Sequence, residues 1–102
     1  MDQPTITILI PCFNEESFIE TIIQNILDQD YPQEKLEAIF LDGMSTDKTA
    51  NIISKYAIKY PFIKLIPNPE KIVPQAMNLG IDQAQGEIII RLDACLLYTS
   101  PS

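Results

Sequence analysis

The sequence predicts an α/β domain, a parallel sheet whose strands alternate with amphipathic helices. Three observations carry that expectation. Four apolar runs recur along the chain, beginning at Ile6, Leu36, Phe62 and Ile88, and the segments between them repeat apolar residues at helical rather than alternating spacing. Prolines, glycines and aspartates punctuate the joins. Acids fall just after the apolar runs, at Glu15, Asp42 and Asp93.

The first run, Ile6, Ile8, Leu9 and Ile10, is continuous enough for a strand buried on both faces, with Pro11 expected to end it. Phe18, Ile19, Ile22, Ile23, Ile26 and Leu27 then mark a helix from about Glu15 to Gln29. Asn14 is placed to cap it, and Glu15 and Glu16 to meet its positive end. Asp30, Tyr31 and Pro32 break the helix. The second strand, Leu36 to Leu41, ends at Asp42 and Gly43.

Thr46 or Asp47 can cap the next helix, which runs to about Lys59 with Ile53, Tyr56, Ala57 and Tyr60 on its inner stripe. Pro61 stops it, and Phe62, Ile63, Leu65 and Ile66 form a short third strand. Pro74 suits the first turn of a third helix with Val73, Met77, Gly80, Ile81 and Ala84 on one face, and Gly86 stands where a left-handed stop is common. Glu87 to Asp93 reads as a fourth buried strand.

Right-handed crossovers and the half-sheet order 3-2-1-4 would bring Glu15, Asp42 and Asp93 to one edge, where ligands bind such sheets. Glu15 and Asp47 each have a second reading, dipole compensation for the former and helix capping for the latter. Lys71 and Arg91 are the nearest cations for a phosphate.

With 102 residues the chain makes one domain, and its net charge of −7 argues against nucleic acid or an anionic membrane surface as partner. It has no histidine, which removes Ser-His-Asp, Cys-His and His-ligated zinc chemistry from this segment. Cys12 and Cys95 give neither a disulfide framework nor metal-ligand spacing. The start M-D-Q-P-T has no secretory character, so a cytoplasmic location is expected. There is no G-x-G-x-x-G and no G-x-x-x-x-G-K-[ST], so a nucleotide would have to be held by carboxylates, a metal ion or helix N-termini.

Four blocks carry a resemblance: I-P-C-F-N-E-E, L-D-G-M-S-T-D-K-T, A-M-N-L-G-I and A-Q-G-E-I-I-I-R-L-D-A. In this order and spacing, from Thr5 to Ala94, they resemble glycosyltransferase family 2. The D-G-M-S-T-D and R-L-D-A wording is most similar to the bacterial exopolysaccharide branch of succinoglycan-biosynthesis type. The resemblance implies the N-terminal portion of a GT-A fold, a Rossmann-like parallel sheet. It also implies inverting transfer of a sugar from a nucleoside-diphosphate donor, UDP-linked, to a saccharide or lipid-linked acceptor.

Carried over by position, Pro11, Phe13 and Glu15 would line the nucleoside pocket and Asp42 would bond the base. Asp93 would be the first acid of the D-x-D motif, meeting the ribose and a diphosphate-bound Mg²⁺ or Mn²⁺. Cys95 stands where that motif has its second acid, and the branch commonly has histidine there. Asn78 matches a family asparagine in position. The family's catalytic base would lie beyond residue 102, so the segment alone is expected to be inactive, and the full-length protein to work at a membrane face.

The donor-binding domain is expected over 1–94. Residues 95–102, whose C-L-L-Y-T-S-P-S resembles translated sequencing adapter, read as a foreign tail. The competing expectation is a non-catalytic phospho-receiver module. That would need an aspartate and a lysine where Pro11 and Asp93 stand.

Overall fold

The computed structural model describes residues 3–68, 78 and 80–92. Strand β1 (Ile6–Cys12) leads to helix α1 (Ile19–Leu27), and a 3-10 turn at Gln33–Lys35 delivers the chain to β2 (Leu36–Asp42). Helix α2 (Thr49–Lys59), β3 (Ile63–Pro67) and β4 (Ile88–Arg91) follow. All strand pairs are parallel and the order is β3-β2-β1-β4, the half-sheet order under which the strand-end acids were expected to share an edge. Such an order reverses the direction of travel at β1 and opens a crevice beyond the C-terminal strand ends.

Alternate side chains of the central strands divide between two cores. Ile10, Ala38 and Phe40 pack with Ile19, Ile22, Ile23 and Ile26 of α1 and Ile53 of α2. Leu9, Ile39 and Leu41 form the opposite core with Ile66. Residues 80–83 are helical, and a Cβ on Gly80 would stand 2.8 Å from a Leu9 methyl, so this helix lies close on that second face. Among the described residues no helix is long and apolar enough to cross a membrane.

Several local expectations give way to tertiary contacts. Pro11 does not end β1: the strand continues to Cys12, with Pro11 in register with Leu41. Helix α1 begins at Ile19, not Glu15, because residues 16–18 form a turn in which the Phe18 and Ile19 N–H groups both donate to the Glu15 carbonyl at 2.8 Å. The acid in its first turn is therefore Glu20.

Gly86 does not take a left-handed stop. No described glycine has positive φ; what excludes a side chain there is that a Cβ would meet the Thr7 nitrogen and hydroxyl at 2.6 Å. Nor is β4 buried: Ile88, Ile89 and Ile90 are each 44% exposed, because among the described strands β4 has only β1 beside it. Ile81, expected on an inner face, is also exposed.

Candidate functional site

Cys12 pairs in register with Asp42, so β1 and β2 end level and release their loops side by side. These loops are knitted together by side chains. Asn14, at φ 51°, caps nothing on α1; its side-chain oxygen accepts from the backbone N–H groups of Thr46 at 2.8 Å and Asp47 at 3.4 Å. In return the Glu16 N–H donates to Asp47 at 3.2 Å and the Lys48 N–H to the Glu16 carboxylate at 3.2 Å. The Glu15 N–H donates to the Thr49 hydroxyl at 2.8 Å.

Asp47 acts as the capping reading expected, although from one residue before the cap position. Its Oδ1 accepts the Thr49 N–H at 2.9 Å and the Thr49 hydroxyl. Desolvation pushes its acidity toward the neutral form, but the Thr49 and Glu16 hydrogen bonds outweigh it and hold the carboxyl below its usual value.

Asp42 closes β2 with only 6% of its surface exposed. Its carboxylate accepts the Ser45 N–H at 3.3 and 3.2 Å and the Ser45 hydroxyl, while the same hydroxyl oxygen receives the Asn14 N–H at 2.9 Å. The intervening Met44 sits at φ 63° and is exposed. Among the described residues no Lys or Arg pairs with Asp42. A buried carboxylate with oriented acceptors and no fixed cation suits a ligand that brings N–H donors.

The structure thus brings Pro11, Phe13, Glu15 and Asp42 to one edge. Pro11 is buried inside β1, Glu15 is buried in the loop after it, and Phe13 is 45% exposed beside the crevice. Asp93, Lys71 and Cys95 lie outside the described residues. Asn78 is helical and exposed, and Arg91 lies on the exposed face of β4.

No three acidic or cysteine side chains among the described residues come together as a metal-ligand set. Sequence reading missed Ser45 and Thr49. The signal available was a hydroxyl residue three positions after the strand-end acid, the spacing at which a side chain can meet its own turn.

The profile described as Glycosyl transferase family 2 matches residues 7–99. A Methanococcus voltae dolichyl N-acetylglucosaminyl phosphate diacetamidodideoxyglucuronosyltransferase is 41% identical over 87 residues, which cover 83% of this chain and 27% of that protein. The mannosyltransferase PcManGT of Pyrobaculum calidifontis, solved with GDP-Man and Mn²⁺, superposes with TM-score 0.82 at 34% identity, over 91% of this chain and 28% of that one. Staphylococcus aureus TarS 1-349, solved with UDP-GlcNAc, gives 0.79 at 26% identity, over 88% and 26%. The chain therefore spans about a quarter of the length of these relatives.

Proposed function

Given that the chain belongs to glycosyltransferase family 2, we propose that it is the donor-binding part of an inverting transferase. It takes a UDP-linked sugar for transfer to a polysaccharide or lipid-linked acceptor. The observation that carries this is the buried Asp42 carboxylate, aimed by Ser45 and, among the described residues, without a cation, at the C-terminal edge of the sheet. The uracil ring N–H is the partner we assign to it. Pro11, Phe13 and Glu15 bound the nucleoside side of the same crevice.

Asp93 is the residue we assign to the ribose and to Mg²⁺ or Mn²⁺; its carboxylate is the hard oxygen donor such ions take. A bound ion would neutralise the diphosphate leaving group. Among the described residues no ligand set is assembled, and what these residues contribute is binding and orienting the nucleoside. The donor-binding unit spans 1–94, with 95–102 outside it, and the segment alone transfers no sugar. The exopolysaccharide assignment rests on the D-G-M-S-T-D and R-L-D-A wording.

The test is calorimetric titration of UDP into the complete protein. Asp42→Ala is expected to lower affinity by roughly a hundredfold, as loss of a charged hydrogen bond would. Unchanged affinity would remove Asp42 from the site.

A further inference from the structure

We infer that Ser45 is a positioning residue for the Asp42 carboxylate, and that the loop after β1 sets base selectivity through it. This rests on the nucleotide reading above and goes beyond it. A hydroxyl has one proton to donate and lone pairs that accept. The Asn14 N–H, 2.9 Å away, occupies an accepting side of Ser45 Oγ, and the hydroxyl proton goes to Asp42 Oδ1. The relay from loop to carboxylate therefore runs one way, and each bond polarises the next.

The Ser45 N–H adds contacts to Oδ1 and Oδ2 at 3.3 and 3.2 Å. One residue thus fixes the rotation of the carboxylate. The turn that returns Ser45 to Asp42 runs through Met44 at φ 63°, a backbone region that residues other than glycine, asparagine and aspartate seldom adopt. Such a conformation persists where its surroundings demand it.

An ionised carboxylate only accepts, so held in one orientation it favours a base whose facing ring nitrogen carries hydrogen. Uracil meets that demand. The corresponding ring nitrogen of cytosine is itself an acceptor and would meet the carboxylate lone pair to lone pair. The Ser45 N–H contacts, at 3.3 and 3.2 Å and shared between both oxygens, leave the carboxylate able to rotate once the hydroxyl bond is gone, so selectivity should fall along with affinity.

The experiment titrates UDP and CDP separately into the complete protein and its Ser45 variants by calorimetry, with thermal midpoints recorded alongside. Ser45→Ala is expected to weaken UDP binding roughly tenfold and to bring the UDP-to-CDP preference close to one. Ser45→Thr, which keeps the hydroxyl, should restore both.

Ser45→Ala with the unaltered preference would overturn the inference while leaving the nucleotide reading standing. An affinity loss that tracks a falling midpoint, with preference kept and no rescue by threonine, would overturn it too. If the unaltered protein binds neither nucleotide, the nucleotide reading falls and takes this inference with it.

Discussion

Strand β2 carries a buried carboxylate near each end, and the two are balanced differently. Glu37, 8% exposed, pairs with the Lys64 ammonium and accepts the Thr7 hydroxyl at 2.8 Å and the Gln85 N–H at 2.9 Å. Asp42, 6% exposed, has Ser45 and, among the described residues, no cation. Burial alone therefore does not separate a carboxylate that holds the fold from the one we assign to a ligand. The partners do: Glu37 is paired with a cation and engaged within the protein, whereas Asp42 is oriented by Ser45 and, among the described residues, has no cation beside it.

The largest expected effect that would break this contrast is on stability. Glu37→Ala strands the Thr7 hydroxyl and the Gln85 N–H, while the half-exposed Lys64 ammonium can turn to water, and it should cost about 2 kcal/mol by urea unfolding while UDP affinity stays unchanged. Asp42→Ala should cost less than about 1 kcal/mol, since its partners in the exposed loop can turn to water. Equal losses from the two variants would erase the distinction.

Acid should act on the Glu37 end. Burial pushes this carboxyl up, but Lys64, the Gln85 N–H and the Thr7 hydroxyl together outweigh it and hold it below the ordinary 4.5. The stabilisation is thus present above 4.5 and lost as pH falls through the lower folded value. Urea midpoints followed into that range should show an acid-dependent fall that Glu37→Gln abolishes; a fall of the same size in the variant would assign it elsewhere.

The smallest effect sharpens the Asp42 end. Met44→Gly should relieve about 1–2 kcal/mol of left-handed strain and return about 0.5–1 kcal/mol through glycine's freedom when unfolded, a net gain near 0.5 kcal/mol. A net loss in urea unfolding would mean that the methionine side chain makes contacts that outweigh its backbone strain.

The strands of the parallel sheet and the acid ending β2 were legible because apolar periodicity and strand-end chemistry are local, whereas the strand order followed from the commonest half-sheet arrangement. What was not legible depends on residues far apart in sequence. Glu37 went unread inside an apolar strand, and its partners stand 30, 27 and 48 positions away. Asn14 had the composition of a helix cap, but acceptors for its neighbours' N–H groups were needed 32 positions on, and tertiary geometry won over local preference.

Three consecutive isoleucines say "strand" equally well at the centre and at an edge, so β4 was expected to be buried. Gly86 was read for its backbone freedom when the constraint was the space beside Thr7.

The clasp between the two loops also bears on the cost of assembly. Its bonds join residues 31 to 34 apart, about one strand-helix unit, so the chain from β1 to the start of α2 contains everything that orients Asp42. By contrast, seating the start of β4 brings together residues 82 apart, a far longer loop to close. The frame around Asp42 therefore needs only two strands of the sheet, and none of its bonds waits on β4.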